Sequence, residues 1–238
     1  MTARLPLVLV ADDDADSRAL VVRALRAVEV EIVEACDGVQ ALLRAREVQP
    51  DLILLDVNMP QLDGVAACAQ LRAQPEFQDL PIVMVTSMDD LDTIKHAYDA
   101  GATDFIVKPF NRTVLAQRVR HLLRAAKAFE ALRESEAQLE QAERLAQLGH
   151  WQWELTSDEI RCSDEAYRLF GVEPGFRLDS KTVEASVHRE DLSRLKEAVN
   201  AAIRAKRPYV VEHRVVRPGG ELRIVEHRGE PSFDQHDR

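Results

Sequence analysis

Short apolar runs recur through the first half of the chain, and each stops at a polar or charged residue. Residues 7–11 run into Asp12, Asp13 and Asp14; residues 52–55 run into Asp56; residues 81–85 into Thr86 and Ser87; and in a fifth strand over 103–108 the shorter run 105–107 ends at Lys108. Unbroken runs of this length, without polar alternation, suit strands covered on both faces. Residues 30–35 read as one more strand. Between the runs the spacing turns helical: Leu20, Val21, Ala24, Leu25 and Val28 share a face, and residues 41–48, 64–71 and 90–100 repeat the pattern, with turns at Gly38 and Gly101. Strict alternation of strand and helix predicts right-handed parallel crossovers and a three-layer α/β domain.

The pattern changes at Asn111, a plausible helix cap. Val114, Leu115, Val119, Leu122 and Leu123 form an inner face, and no Gly or Pro follows before Gly149, so one helix is expected to run on to residue 148. Ala125, Leu132, Leu139 and Ala146 recur every seven residues, with Ala128, Ser135 and Ala142 as a weaker second stripe. That is coiled-coil spacing over about three repeats. It predicts a parallel helix pair, with a single solvated spacer as the alternative.

Beyond Gly149 the period becomes two. Trp151, Trp153 and Leu155 alternate with polar residues, and 159–162 reads as the return strand of a hairpin. Helices are expected over 164–170 and 191–205, then strands over 209–216 and 222–228 around a Pro218-Gly219-Gly220-Glu221 turn. The expected order is β-β-α-α-β-β.

Composition narrows the picture. The 238 residues suffice for two modest domains. Three distant cysteines, Cys36, Cys68 and Cys162, suggest neither a disulfide framework nor a zinc site and fit a reducing cytosol. The run at 7–11 is too short for a signal segment or a membrane span, so a cytoplasmic protein with no membrane partner is expected. A formal net charge of −10 argues weakly against a nucleic-acid partner.

In a parallel sheet the polar strand ends share one edge, where α/β folds place their ligands. Three carboxylates, a hydroxyl and an ammonium should therefore meet in one cleft. Clustered carboxylates repel unless a cation holds them, and an oxygen-only donor set suits Mg²⁺ better than zinc. Such a site fits phosphoryl transfer, with Asp56 as nucleophile, the metal neutralising charge, and Lys108 and the Thr86 hydroxyl on phosphoryl oxygens.

On these residues, the stretch from Leu7 to about Arg124 resembles the receiver domain of two-component response regulators, with its flavodoxin-like, doubly wound five-stranded parallel sheet. The matching residues are Asp12-Asp13, Asp56 in Leu54-Leu55-Asp56-Val57-Asn58-Met59-Pro60, Thr86 in Val85-Thr86-Ser87, and Lys108-Pro109-Phe110. The resemblance implies that Asp56 is the phosphoacceptor. It makes Asp12 and Asp13 the metal-binding pair, with Asp13 as direct ligand and Asn58 offering its backbone carbonyl. It makes Thr86 the switch hydroxyl, Lys108 the phosphate-binding lysine, Phe105 the switch aromatic without a phenolic hydroxyl, and the Lys108–Pro109 bond cis. The implied partner is a histidine kinase or phosphotransfer protein. Asp14 reads as a helix cap. The rival reading is a Mg²⁺-dependent phosphohydrolase using Asp56. It would need a second Asp two residues on, where Asn58 stands, so no enzyme activity beyond slow self-dephosphorylation is expected.

Residues from about Leu145 onward resemble a PAS sensor domain, through Leu148-Gly149-His150-Trp151-Gln152-Trp153-Glu154, the run from Ser163 to Gly171, Val187-His188-Arg189-Glu190-Asp191, and the run from Glu212 to Gly220. The expected division is a receiver over 5–124, a helical linker over 125–148 and a PAS domain over 149–238. That domain's antiparallel sheet lacks its last strand, with 234–238 as the turn before it. No ligand is named by the residues: Cys162 reads as structural, His188 as a local hydrogen-bonding residue, and Trp151 and Trp153 as packing. The resemblance implies phosphorelay signalling in a homodimer formed through linker and PAS domain. The output module would lie beyond residue 238, a cyclic-di-GMP enzyme or a histidine kinase.

Overall fold

The computed structural model describes residues 4–87 and 91–232. The chain divides into two compact units, one reaching to Arg133 and the other starting at Glu134.

In the first unit β1 (Leu7–Ala11), β2 (Glu31–Ala35), β3 (Leu52–Asp56), β4 (Ile82–Thr86) and β5 (Asp104–Val107) form one parallel sheet in the order β2-β1-β3-β4-β5. Both β3 and β4 are buried along their whole length, as the unbroken apolar runs require. Alternate residues feed two cores. Val8, Val10, Leu54 and Val85 pack under α1 (Ala15–Leu25) and the start of α5 (Arg112–Ala146). Leu9, Ile53, Leu55 and Met84 pack under α2 (Gly38–Val48), α3 (Gly64–Arg72) and α4 (Leu91–Asp99). This is the expected flavodoxin-like, doubly wound architecture.

Local chemistry sets the helix starts. Asp14, Asp37 and Asp63 each cap the following helix by accepting a backbone N–H. The Asp37 cap starts α2 at Gly38, three residues before the apolar periodicity begins. Leu20 and Val114 were expected on inner faces but are about half exposed. Asn111 accepts the N–H groups of Thr113 and Val114 at the head of α5. This helix of 35 residues ends at Ala146, two residues short of the expected end, because Gln147 takes a left-handed backbone.

The second unit holds two antiparallel pairs, β6 (Trp151–Glu154) with β7 (Glu159–Cys162) and β8 (Tyr209–Val216) with β9 (Leu222–Gly229). Between them lie α6 (Asp164–Phe170), α7 (Ser180–Ser186) and α8 (Leu192–Ala205). The sequence pattern missed α7, a seven-residue helix capped by Asp179. The turn expected at 234–238 lies outside the described residues.

Candidate functional site: a lysine between two carboxylates at the sheet edge

The expected residues do arrive at one edge. Asp56 is the last residue of β3 and Thr86 the last of β4, while Asp12 and Lys108 directly follow β1 and β5. Asp12, Asp56 and Thr86 are 2%, 5% and 2% exposed, so this edge is a buried polar cluster.

Lys108 Nζ donates to Asp12 Oδ2 at 2.8 Å and to Asp56 Oδ1 at 2.5 Å. The backbone N–H of Asn58 donates to Asp56 Oδ2 at 2.8 Å, so both oxygens of Asp56 are held. The Lys108 backbone N–H reaches the Thr86 carbonyl at 2.6 Å, and the Lys108–Pro109 bond is cis. Burial pushes the Asp56 carboxyl above its ordinary range; the bond and charge of Lys108 pull it back, and the charge of Asp12 pushes it up again. Burial pulls the Lys108 ammonium down, but its bonds to Asp12 and Asp56 outweigh that and leave it raised. One ammonium between two buried carboxylates leaves a net negative pocket.

Two contributors went unnoticed in the sequence. Ser17 Oγ donates to Asp12 Oδ2 at 2.6 Å. Arg18 Nη1 donates to the Asp12 carbonyl at 2.7 Å while its Nε holds Glu34. Both stand on the first turn of α1, five and six residues past Asp12. The backbone N–H of Asp14 adds a bond to Asp12 Oδ1, so Asp12 is fixed from three directions. Gly64 is needed here for closeness alone: a Cβ on it would lie 2.0 Å from the Asp56 carbonyl oxygen.

Asn58 joins this hydrogen-bonded group through its backbone N–H alone, its side chain being exposed, and Asp13 is exposed as well. Phe105 is half-buried and meets Tyr98 edge-on at 5.8 Å between ring centroids. Among the described residues no three His, Cys, Asp or Glu side chains stand together as a ready metal cage. The donor chemistry nonetheless fits a hard divalent cation: the lone pairs offered by Asp12 and Asp56 are all on oxygen, and these two carboxylates outnumber the one ammonium of Lys108.

In the second unit His188 has the expected local role, its Nδ1 accepting the Glu190 N–H at 3.4 Å. Burial pushes the Cys162 thiol up to about 11, which suits a structural residue. Trp151 and Trp153, expected simply to pack, instead line a cavity. Among the described residues no helix is long and apolar enough to cross a membrane.

Comparison with known proteins agrees with this geometry. Residues 8–120 match the response regulator receiver domain family, and residues 159–238 match the PAS fold family. The transcriptional regulatory protein PrrA of Mycobacterium leprae is 44% identical over 119 residues, half of each chain. The DNA-binding dual master transcriptional regulator RpaA of Synechocystis is 35% identical over 120 residues, again half of each. The chain spans about half the length of these curated relatives, and their descriptions lend no support to the charge argument against nucleic acid. The crystal structure of NtrX from Brucella abortus overlaps 55% of this chain and 29% of its own, at 30% identity and a TM-score of 0.51. By these matches the chain carries a two-component response regulator receiver domain at residues 8–120, followed by a member of the PAS fold family at residues 159–238.

Proposed function

We propose that Asp56 accepts a phosphoryl group from a histidine kinase or phosphotransfer protein, and that α5 and the PAS unit relay the resulting state in a cytoplasmic homodimer. The observation that carries this reading is Lys108 Nζ bridging Asp12 and Asp56 at the carboxyl edge of the sheet. An Asp56 oxygen attacks phosphorus, a phosphorus–oxygen bond forms, and the bond to the donor imidazole breaks with its electron pair leaving on nitrogen. Lys108 is placed to follow the new charge, exchanging its Asp56 contact for a phosphoryl oxygen while keeping Asp12. Asp12, Asp13, Asp56 and the Asn58 carbonyl would hold Mg²⁺, which when bound supplies charge neutralisation at the transferring group. Thr86, fixed at the end of β4, offers its hydroxyl to the phosphoryl group, and Phe105 responds through packing against Tyr98. Phosphorylation adds charge and acceptor oxygens at a buried edge, which favours a second packing of β4, α4 and β5.

Acetyl phosphate with Mg²⁺ should add one phosphoryl group per chain, seen by intact-mass spectrometry, and Asp56→Asn should abolish it. Equal labelling of the Asp56→Asn chain sinks the assignment. Sustained turnover of phosphomonoesters that depends on Asp56 would instead support a phosphohydrolase.

A further inference from the structure

From Lys127 to Ala142 every residue of α5 is exposed, so this part of the helix has no cover from its own chain. Phe129, Leu132 and Leu139 nonetheless share one side of it, each about half exposed. Heptad spacing alone suggests a parallel partner for this seam. The size and the charge of its side chains select the opposite sense.

Size comes first. One row of the seam holds Ala125, Leu132, Leu139 and Ala146, and the other holds Ala128, Ser135 and Ala142. Two parallel chains in register set each row against itself. Layers of paired leucines then alternate with layers of paired Ala or Ser. The leucines hold the helices apart where the small residues need them close, and one serine hydroxyl meets another. Two antiparallel chains set one row against the other. Leu132 meets Ser135 of the second copy and Leu139 meets its Ala128, so each leucine layer is filled by one large and one small side chain.

Charge gives the same answer. Residues 124–133 carry Arg124, Lys127 and Arg133 against a single acid, Glu130. Residues 134–146 carry four glutamates against a single base, Arg144. Arg133 also holds Asp79 at 2.7 Å but stays 63% exposed, and Glu143 holds His150 at 2.7 Å. A parallel pair lays basic half on basic half and acidic half on acidic half. The antiparallel register that sets Leu132 on Ser135 brings Lys127 level with Glu140 of the second copy, Arg133 with its Glu134 and Arg124 with its Glu143. Sliding by one heptad keeps the size match but sets Glu134 level with Glu140, so charge fixes the register. Such exposed charges add little affinity, but like-charge juxtaposition rejects the wrong arrangement.

We propose that α5 docks on a second copy of itself in the antiparallel sense, with Leu132 on Ser135 and Leu139 on Ala128 of the other chain. The receiver-side half of each linker then lies along the PAS-side half of the other, so the relay runs across the two chains. This rests on the homodimer put forward above and names its geometry.

The test uses the full chain carrying Cys36→Ser, which removes the exposed native thiol. One preparation adds Ala125→Cys; the other, ¹⁵N-labelled, adds Ala142→Cys. Each is oxidised alone and in a mixture, and disulfide-linked dimers are identified by mass. In the antiparallel pair residue 125 faces residue 142 of the other chain, while like positions stand about 25 Å apart along the axis. The mixture should therefore give the dimer of one light and one heavy chain, about tenfold over either self-linked dimer, because a disulfide forms only between close Cβ atoms. Self-linked dimers forming as fast as mixed ones overturn the proposal and leave the homodimer standing. So does the absence of any link in chains that light scattering shows to be dimeric. A chain monomeric at every concentration removes both. As a second readout, Lys127→Glu with Arg133→Glu should weaken dimerisation about tenfold, and adding Glu134→Lys with Glu140→Lys should restore it. Unchanged dimerisation after the first reversal also overturns the antiparallel arrangement.

Discussion

Acidification should loosen the PAS unit well before its carboxylates titrate, and the size of the effect follows from His227. Its imidazole lies between Trp151, at 4.8 Å between centroids, and Tyr209, at 5.6 Å, and burial lowers it from an ordinary 6.5 to about 4. The unfolded chain takes up the proton near pH 6.5 and the folded chain only near 4. Stability is therefore fully present above 6.5, falls between 6.5 and 4, and levels off below as far as this residue is concerned. At about 1.4 kcal/mol per pH unit the whole loss is about 3 kcal/mol, and about 2 kcal/mol is gone by pH 5. His213, also lowered by burial, acts in the same direction. Hydrogen bonds hold the Asp158, Asp179 and Glu221 carboxyls low, with neighbouring cations helping at Asp179 and Glu221, and Asp191 is held low by Arg214. They surrender stability only as pH falls below their unfolded values near 4. The window from 6.5 to 4.5 thus belongs to the buried imidazoles. The chain has two tryptophans, Trp151 and Trp153, both in β6, so urea unfolding followed by tryptophan fluorescence reads this unit alone. The unfolding free energy should drop by at least about 2 kcal/mol from pH 7 to 5, and His227→Phe should flatten most of that drop. Equal stability at pH 7 and pH 5 would refute the burial of neutral imidazoles.

Three further outcomes follow from the first unit and the linker. Gly64→Ala should cost more than about 2 kcal/mol, because the new Cβ meets backbone rather than a yielding side chain; amide exchange in β3 should accelerate and acetyl phosphate labelling fall together. Lys108→Met leaves Asp12 and Asp56 face to face without a counter-charge, costing about 3 kcal/mol. Calorimetry should then show Mg²⁺ raising the melting temperature more in the variant than in the parent chain. Leu132→Glu with Leu139→Glu should abolish concentration-dependent dimerisation in light scattering while Asp56 labelling persists; a parent chain monomeric at every concentration removes the dimer from the proposal.

The sheet edge was legible because β1, β3 and β4 are buried on both faces. Where an unbroken apolar run stops, the next polar residue must sit at the strand end, and Asp12, Asp56 and Thr86 each mark such a stop, while Lys108 closes the shorter, half-buried β5. Ser17 and Arg18 were not legible this way. Their role depends on the first turn of α1 lying back over the end of β1, which no periodicity encodes. The helix α7 escaped because seven residues with one clear apolar member, Val183, offer no repeat to detect. His213 could have been found. It occupies the inward position between Val211 and Val215 in an alternating strand, where an apolar residue is the default. Its pairing with His227 needed the β8–β9 register, which a strand pattern alone leaves open.

The linker shows what a stripe on a helix can and cannot supply. Leu132 is 55% exposed and Leu139 is 57%, so both remain available to a partner. Phe129, 52% exposed, stands three residues before Leu132, where the sequence reading had placed only Ala128 as a companion. Fully burying a leucine contributes about 2 kcal/mol, and half of each surface is already covered by its own helix. Two leucines from each of two chains then offer about 4 kcal/mol, and the two phenylalanines add a comparable contact or less. Association itself costs at least about 4 kcal/mol, while a micromolar dimer needs a net of about 8. The stripe alone therefore does not hold two chains together at micromolar concentration. Any dimer must draw on the receiver or the PAS unit as well, and a change in either unit then acts on an equilibrium small enough to shift.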